Sequence, residues 1–406
     1  MKRFLKWLGI AIATIATIIG IAAAYVALAP YPTYEIPQVN VTVASTEARV
    51  AHGRRLAMSL CVACHADPET KLLTGKHIVD LPQEFGTAYS RNITQHKTAG
   101  IGSWTDADLY ILLRTGIHPK TGSFVPPWMP RFNLMADEDL YSIIAWLRSA
   151  DPMLAASAKP NTEGQPSFLA KFLARVAFKP MPLPTTPVVR PDSSFPVQLG
   201  KYLANGAYGC FACHSANFAT MNNEHPELSE GFYGGGNPMP DANLKIVPTA
   251  NITPDKSTGI GSWTEDEFVR CMVQGIRPNG RVIRYPMVPH PHVTESEHKA
   301  IYAYLMSIPA ITNAVTAAQE YPEITSKDAG KRLYHALGCV RCHGISGLGV
   351  ANLRRADAKY PSDSVLADVI RHPRAYNTES YMPVYASVMS EADARAVAAY
   401  VRTLCK

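Results

Sequence analysis

The longest apolar stretch of the chain lies at its N-terminus. Three basic side chains occur among the first six residues, and no residue from Trp7 to Ala29 is charged. A helix of that length, at about 1.5 Å per residue, spans roughly 35 Å, which is enough to cross the hydrocarbon core of a bilayer. Because the next basic residue is Arg49, positive charge is concentrated before the stretch and places Met1 in the cytoplasm. The pattern predicts a transmembrane anchor within residues 1–30.

A cleaved signal peptide is the alternative for this segment. Its apolar region usually has roughly 7–15 residues, fewer than here. The best small-residue cleavage site, Ala27-Leu28-Ala29, is followed by Pro30, which is unfavourable after a cleavage point. A retained helix is therefore favoured, and both alternatives place the remaining chain on the same side of the membrane.

Beyond residue 45 one pattern of helices occurs three times. Each repeat opens with a glycine-basic-x-leucine signature and closes on an amphipathic pattern with an aromatic residue near its end. The opening glycines are Gly53, Gly200 and Gly330, and the closing aromatic residues are Trp146, Tyr304 and Tyr400. A glycine allows a second helix to cross closely, so we expect the two helices of each repeat to cross there with the aromatic packed at the crossing.

Helix starts are marked by residues that cap the first turn. Thr294 and Glu297 have the spacing of a capping box, and Ser390 has a similar role. Thr105 and Thr264 precede acidic residues and are predicted N-caps.

An internal duplication relates the first two repeats. The segment from Asn92 to Pro119 aligns without gaps onto Asn251 to Pro278, and both contain Gly-Ile-Gly-Ser-Trp-Thr. The third repeat lacks this block and is shorter.

A proline-rich connector, residues 151–195, separates the first two repeats. Within 167–179 the apolar residues share one helical face, while Lys171, Arg175 and Lys179 lie on another. This helix either packs on its own domains or docks on a partner subunit or the membrane surface.

Length and charge restrict the function classes. The 406 residues suffice for two to four domains. A net charge of +6 without a run of Lys and Arg gives no support for nucleic-acid binding.

The candidate chemistry lies in three C-x-x-C-H motifs, which begin at Cys61, Cys210 and Cys339. Two thiols at this spacing can each add to a vinyl group of a haem, and the histidine that follows becomes the proximal iron ligand. The predicted attachment residues are Cys61, Cys64, Cys210, Cys213, Cys339 and Cys342, and the predicted proximal ligands are His65, His214 and His343. A thioredoxin-type redox motif and half of a zinc site are the alternatives. Three covalently bound haem c groups are therefore predicted.

The two cysteines outside the motifs are Cys271 and Cys405. They are either free buried thiols or a disulfide pair, and sequence alone does not decide between the two.

The sixth iron ligand decides whether a haem mainly transfers electrons or binds small molecules. Each repeat has a methionine beside proline, just before its closing helix, and these residues are Met129, Met287 and Met382. They are the predicted distal ligands. The competitors are Met135 for the first site, Met239, His290 and His292 for the second, and Met389 and His372 for the third.

Together these features predict a mainly α chain: one N-terminal transmembrane helix followed by three small haem domains. The predicted domains are residues 45–150, 196–310 and 325–406, joined by the connector 151–195. Each domain resembles a class I cytochrome c. The repeated block with the membrane tether resembles the triheme cytochrome c subunits of bacterial membrane-bound alcohol, aldehyde and gluconate dehydrogenases.

The resemblance implies a function and partners. In that family the cytochrome accepts electrons from a catalytic subunit that carries pyrroloquinoline quinone, flavin or molybdopterin, and passes them to membrane quinone or a terminal oxidase. The location implied is the bacterial cytoplasmic membrane, with the haem domains on the periplasmic side. We expect an electron-transfer subunit rather than an enzyme. A cytochrome module of a respiratory oxidase or quinol-oxidising complex, and a haem enzyme with an open second site, are the alternatives.

Overall fold

The N-terminal apolar stretch forms the longest helix of the fold. The computed structural model describes residues 2–315 and 324–405, so Met1 of the predicted anchor and Lys406 of the predicted third domain lie outside the described residues. Helix α1 (Lys2–Leu28) is long and apolar enough to cross a membrane, a property shared by transmembrane anchors and signal sequences. The chain is mainly helical, as predicted.

The first hydrophobic cluster lies around the pair α2 (Glu47–Leu60) and α5 (Asp137–Leu147). Leu56, Met58 and Trp146 are buried in it, as is Cys61 of the first motif. The other elements of this part are α3 (Val62–His65), a 3₁₀ turn at Gln83–Phe85, α4 (Asp106–Thr115), a 3₁₀ turn at Pro152–Leu154, and α6 (Phe168–Val176). Strands β1 (Gly86–Thr87) and β2 (Gln165–Pro166) pair antiparallel, with Gly86 opposite Pro166.

The second cluster lies around α7 (Pro196–Tyr202) and α10 (Glu295–Ser307), and Phe211 of the second motif is buried in it. A π-helical turn at Leu203–Ala207 continues α7. The part also contains α8 (Cys210–His214), a 3₁₀ turn at Pro226–Leu228, α9 (Glu265–Gln274), and the antiparallel strands β3 (Pro238–Pro240) and β4 (Ile246–Pro248).

The third cluster lies around α11 (Ala329–Ala336) and α16 (Glu391–Leu404), and Cys339 and Val340 of the third motif are buried in it. Its other elements are α12 (Cys339–His343), α13 (Ala356–Lys359), α14 (Asp363–Arg371), α15 (Pro373–Tyr376) and a 3₁₀ turn at Tyr385–Ser387. Each motif thus packs into a separate core.

The predicted glycine crossings are present in all three clusters. A Cβ atom at Gly53 would lie 1.8 Å from the carbonyl oxygen of Ser142. At Gly200 and Gly330 the corresponding distances, to the carbonyl oxygens of Ala300 and Ala396, are 1.9 Å and 2.0 Å. Tyr304 and Tyr400 pack directly against the latter two crossings, while Trp146 is buried in the first cluster. Only glycine allows these backbones to approach so closely.

The predicted caps are also confirmed. Thr105 and Thr264 form capping boxes with Asp108 and Glu267, and Thr294 forms one with Glu297. Ser390 accepts a hydrogen bond from the main-chain N–H of Asp393 at the start of α16. Because α4 and α9 also end alike, at Gly116 (φ 75°) and Gly275 (φ 77°), the duplicated segments share their backbone path.

A buried ionic network joins the first and second clusters. Arg55 on α2 donates from Nη1 and Nη2 to the two carboxylate oxygens of Glu297 on α10, at 2.5 and 2.9 Å. Arg190 of the connector bridges Glu297 at 2.8 Å and Asp139 at 2.9 Å. Asp139 also accepts from the Tyr202 hydroxyl at 2.5 Å. Both carboxylates are buried, so the two arginines neutralise charges that would otherwise be costly.

The neighbouring arginine on α2 reaches the third cluster. Arg54 donates to Glu379 at 3.0 Å and to Asp151 at 2.9 Å. The hydroxyl of Tyr381 donates to the main-chain oxygen of Met58. One turn of α2 therefore contacts both of the other clusters.

The second and third clusters meet through hydrogen bonds to main-chain oxygens. The N–H of Ala242 donates to the carbonyl oxygen of Arg341 at 3.0 Å, and Asn243 Nδ2 donates to the carbonyl oxygen of Val340 at 2.9 Å. On the other side of the contact, the N–H of Val384 donates to Gln274 at 2.9 Å. The third motif is thus held directly by the turn between β3 and β4.

Replacing Gly200 with alanine tests the helix crossing. The added Cβ would overlap the carbonyl of Ala300, and we expect a loss of at least about 1–3 kcal/mol in unfolding free energy despite the better helix propensity of alanine. Gln198→Ala, at an exposed position on the same helix, is the control and should leave stability nearly unchanged. Thermal unfolding followed by far-ultraviolet circular dichroism measures both. Equal stability of the two variants would contradict the close crossing.

Replacing Glu297 with glutamine tests the ionic network. The change leaves the half-buried Arg55 without its carboxylate partner, so we expect a loss of about 1.5–3 kcal/mol in unfolding free energy at neutral pH. The control is Glu295→Gln, which removes an exposed pair with Lys299 at 2.8 Å and should leave stability nearly unchanged, because solvent screens the pair. Denaturant titration distinguishes them, and similar midpoints would argue against the network.

The same network gives stability a defined pH dependence. Burial alone would raise the pKa of Glu297, but the hydrogen bonds and charges of Arg55 and Arg190 lower it to about 2. The unfolded value is about 4.3, so the contribution of this carboxylate is complete above about pH 4.3 and is lost as the pH falls through about 2. The stability difference between the native chain and Glu297→Gln should therefore shrink when unfolding is measured from about pH 5 down to 2. A stability difference that stays constant over this pH range would show that the Glu297 carboxylate does not cause the pH dependence.

Candidate haem sites

Each C-x-x-C-H motif occupies a short helical turn. The turns are α3, α8 and α12, and each ends at its histidine. Residues three and four positions apart lie on one side of a helix, so the two cysteines and the histidine of each motif share a face. A single turn of backbone thus presents two thiols and an imidazole in the same direction.

All three motif histidines are oriented by the same hydrogen bond. Nδ1 of His65 donates to the main-chain oxygen of Arg91 at 2.7 Å, and Nδ1 of His214 donates to that of Ala250 at 2.8 Å. Nδ1 of His343 donates to the oxygen of Ala351 at 2.6 Å. A carbonyl oxygen only accepts, so the proton must reside on Nδ1. In the neutral ring, Nε2 then has a free lone pair for a metal ion.

The protonation states agree with this geometry. Burial lowers the pKa of His65, His214 and His343, which favours the neutral ring. Burial raises the pKa of all six motif thiols, to about 12 for Cys61, Cys210, Cys339 and Cys342, to about 11 for Cys213, and above its usual value for Cys64. A redox-active C-x-x-C motif requires the opposite shift, to roughly 3.5–7.5. The thiols are therefore those of an apolar site.

The residues fit a covalently attached haem better than the alternatives. Within residues 2–315 and 324–405, no group of His, Cys, Asp and Glu side chains is arranged to hold a metal ion such as zinc. Each motif instead combines two neutral thiols on an apolar core with one imidazole whose Nε2 lone pair is free, and these are the groups that would hold a covalently attached haem. When bound, haem c supplies reversible one-electron oxidation and reduction of its iron.

The duplicated Asn-Ile-Thr sequence supports the histidine acceptors. Arg91 and Ala250 immediately precede Asn92 and Asn251. The Asn92 side-chain oxygen accepts from the Thr94 N–H at 3.0 Å and from its hydroxyl at 2.7 Å, and Asn251 makes the same two contacts with Thr253. This local turn fixes the carbonyl that orients the motif histidine. It gives the block a structural role that the sequence did not reveal.

The third repeat makes an equivalent turn with a much shorter segment. Ala351 lies eight residues after His343, and Asn352 follows it directly. The side-chain oxygen of Asn352 accepts from the N–H of Arg354 at 2.7 Å, as that of Asn92 does from Thr94. The missing Asn-Ile-Thr block is thus replaced by a single asparagine in the same position relative to the acceptor.

Two arginines, the buried Arg114 and the half-buried Arg131, shape the loop that carries Met129. Arg131 donates to the main-chain oxygens of Pro126, at 3.0 Å, Met129 and Val125. Arg114 donates to the oxygens of Phe132 and Met135, each at 2.6 Å. No sequence signal identified these arginines, because their main-chain acceptors become adjacent only in the folded loop. Met129 packs against the first cluster, which contains Cys61.

The structure also places the other predicted distal residues. Met382 packs against the third cluster, which contains Cys339. The competitors Met135 and Met389 are buried inside their clusters, at 0% and 4% exposure, where they serve as core residues. His372 is engaged by Asp368 at 2.9 Å on the surface of α14.

The second site has two kinds of candidate ligand. Met287 is half-buried in the loop before α10. The main chain of His290 is fixed on both sides: its N–H donates to Met272 at 2.7 Å, and its carbonyl accepts from the ring of His298 at 3.1 Å. Burial lowers the pKa of His290 to about 4, and the nearby imidazoles of His298 and His214 lower it further. The shift favours the neutral ring of His290.

The two remaining competitors at the second site are engaged elsewhere. Met239 lies on β3 opposite Val247. His292 Nε2 lies 3.4 Å from Glu379, and its ring meets Tyr381 edge to face at 5.5 Å. His292 therefore belongs to the contact with the third cluster.

The two cysteines outside the motifs are not joined. Cys271 and Cys405 are both free and buried, which confirms the first of the two alternatives. Burial raises the pKa of the Cys271 thiol to about 12, and the Cys405 thiol donates to the carbonyl of Leu353 at 3.2 Å.

Similarity to known proteins agrees with this chemistry. Residues 328–405 match the family model of cytochrome c. Over 413 aligned positions the chain is 26% identical to "Alcohol dehydrogenase (quinone), cytochrome c subunit" of Gluconacetobacter polyoxogenes, with 94% of this chain and 84% of that protein covered.

Two further relatives have similar names and similar identity. The "Fructose dehydrogenase cytochrome subunit" of Gluconobacter japonicus is 27% identical over 77% of this chain and 66% of its own length. The "Gluconate 2-dehydrogenase cytochrome c subunit" of Pantoea cypripedii is 27% identical over 78% of this chain and 74% of its own length. The chain therefore contains a cytochrome c domain at residues 328–405, and such a domain carries covalently bound haem c.

Proposed function

We propose that the chain is a triheme c-type cytochrome that relays electrons from the catalytic subunit of a dehydrogenase to membrane quinone or a terminal oxidase. Residues 1–30 anchor it in the bacterial cytoplasmic membrane, with domains 45–150, 196–310 and 325–406 on the periplasmic side. The observation that carries the proposal is the identical Nδ1–carbonyl hydrogen bond beneath each motif. Three imidazoles oriented alike support three haem sites of one kind.

The surroundings of the sites favour electron transfer over substrate chemistry. Met129 and Met382 supply thioether ligands that close the first and third sites and raise their potentials. Met287 has the same role at the second site. The network of Arg54, Arg55 and Glu297 keeps the three domains in fixed contact, as a relay requires.

The names of the relatives support the partner. Each is described as the cytochrome subunit of an alcohol, fructose or gluconate dehydrogenase. A chain similar to them along most of its length is suited to the same position between a catalytic subunit and an electron acceptor. If the chain were instead a module of a respiratory oxidase or quinol-oxidising complex, its partner would be different, but its three haem sites would be the same.

One observation favours a second candidate, a haem enzyme with an unusual second site. The main chain of His290 is fixed by hydrogen bonds with Met272 and His298, and burial favours its neutral ring, which is the form that binds a metal ion. If its side chain replaces Met287, or if neither side chain binds, the second site would differ from the other two.

Alanine substitution of Met382 tests the third distal ligand. Removing the thioether should open the third site to carbon monoxide. The gas should then shift about one third of the reduced haem absorption of the variant, whereas it should shift none of that of the native protein. The control, Met389→Ala, removes a buried core methionine from the same cluster and should lower stability by about 2–5 kcal/mol without carbon monoxide binding. Carbon monoxide binding by Met389→Ala, with none by Met382→Ala, would identify Met389 as the distal ligand in place of Met382.

The native spectrum also tests the second candidate function. Three closed sites give no carbon monoxide shift in the unmodified protein. A shift on about one haem in three would instead identify an open or labile site. If Met287→Ala and His290→Ala leave that shift unchanged while Met129→Ala and Met382→Ala each add about one further haem, the open site is the second.

Purification from membranes tests the relay. We expect the chain to copurify with a dehydrogenase, and the addition of that enzyme's substrate to reduce all three haems in the complex. Reduction by quinol and copurification with an oxidase would favour the respiratory module.

The number of haem groups is measured from the absorption of the protein in alkaline pyridine. It should correspond to three haem c groups per chain, and a stoichiometry of one or two would contradict the triheme assignment.

A further inference from the structure

Helix α6 (Phe168–Val176), in the connector, has three distinct faces. Ala170 and Ala174 are buried against the body of the protein. Lys171 and Arg175 lie on a second face. The third face consists of apolar side chains, among which Phe168, Phe172 and Val176 are 50%, 41% and 56% exposed. Exposed apolar residues on one side of a short helix indicate a surface that packs on something outside this chain.

The start of α6 is fixed to the first cluster. The N–H of Ser167 donates to the carbonyl oxygen of Phe85 at 3.0 Å, and its hydroxyl donates to that of Glu84 at 2.5 Å. The preceding residues pair with β1, where Gly86 lies opposite Pro166. The orientation of α6 is therefore set by main-chain contacts and not by its apolar face.

The basic face of α6 meets the end of α1. Lys171 Nζ donates to the carbonyl oxygen of Ala27, and Arg175 Nη2 donates to that of Pro30, each at 2.6 Å. The Arg175 guanidinium also lies 5.4 Å from the ring centre of Tyr25. Carbonyl groups at a helix C-terminus lack partners within the helix and attract positive charge, so these two side chains cap the apolar helix.

These contacts place the apolar face of α6 beside the point where α1 ends. Phe168 and Phe172 stack on each other with their ring centres 6.2 Å apart and their planes within 9°, which forms one flat apolar surface. Lys179, one turn beyond the helix, is exposed beside it. Aromatic and aliphatic residues flanked by lysine and arginine are typical of helices that lie in the headgroup region of a bilayer.

We propose that α6 lies in the outer headgroup layer of the same membrane that α1 crosses, with Phe168, Phe172 and Val176 inserted among the lipid chains. The inference rests on the membrane anchor of the proposed function. The lipid surface is the partner because the capping contacts hold this face at the end of the membrane-spanning helix. Together α1 and α6 fix the height and tilt of the first cluster above the membrane, which a single helix cannot do.

Cysteine labelling in vesicles tests the proposal. Phe172→Cys is compared with Val189→Cys, a control in the same connector that is 77% exposed and outside α6. Both full-length variants are reconstituted into phosphatidylethanolamine–phosphatidylglycerol vesicles and treated with a water-soluble polyethylene-glycol maleimide. We expect position 172 to react at least about tenfold more slowly than position 189, because its thiol lies below the headgroups. The two rates should be equal after denaturation.

Flotation of the same vesicles distinguishes the proposed membrane anchor from the proposed membrane contact of α6. If the protein fails to float, the anchor itself is wrong. If it floats and position 172 reacts within about twofold of position 189, the anchor stands and the membrane contact of α6 is overturned. Shielding of position 172 only in a complex with another subunit would also overturn it, since the apolar face would then bind protein. The native chain serves as the unlabelled reference, because Cys271 and Cys405 are buried.

Discussion

The hydrogen bond from a histidine Nδ1 to a main-chain oxygen is the constraint on which all three sites depend. It selects the tautomer, sets the direction of the imidazole and leaves the Nε2 lone pair free. The chain closes this contact over 26, 36 and 8 residues, so the intervening loops are free to vary. The asparagine that follows the acceptor is the element that all three share, at Asn92, Asn251 and Asn352.

The helix crossings perform the complementary task of bringing each motif onto a core. A glycine on the opening helix allows contact with the main chain of the closing helix, and the motif follows the opening helix within a few residues. The same turn of α2 also links the clusters: beside Gly53, which packs on α5, the side chain of Arg54 reaches Glu379 and that of Arg55 reaches Glu297. One short sequence thus determines both packing within a cluster and contact between clusters.

Much of this arrangement could be predicted from the sequence, and the reasons are local. The motifs, the capping boxes at Thr105 and Thr264, and the glycines at the crossings are recognised because their chemistry acts over three or four residues or recurs at equivalent places. The partners of Arg55 and Arg131 could not be predicted, because they lie on other elements or on loop carbonyls. The apolar face of α6 was visible as a pattern, but its position beside α1 was not.

The loops before the closing helices also connect the clusters. Tyr285, two residues before Met287, hydrogen-bonds with Asp80 of the first cluster, and Tyr381, adjacent to Met382, hydrogen-bonds with the main chain of Met58. The segments that carry two candidate iron ligands are therefore held partly by a neighbouring cluster. The clusters are not independent modules. A redox potential measured on an excised third segment would describe a loop without its support, and the native value belongs only to the assembled chain.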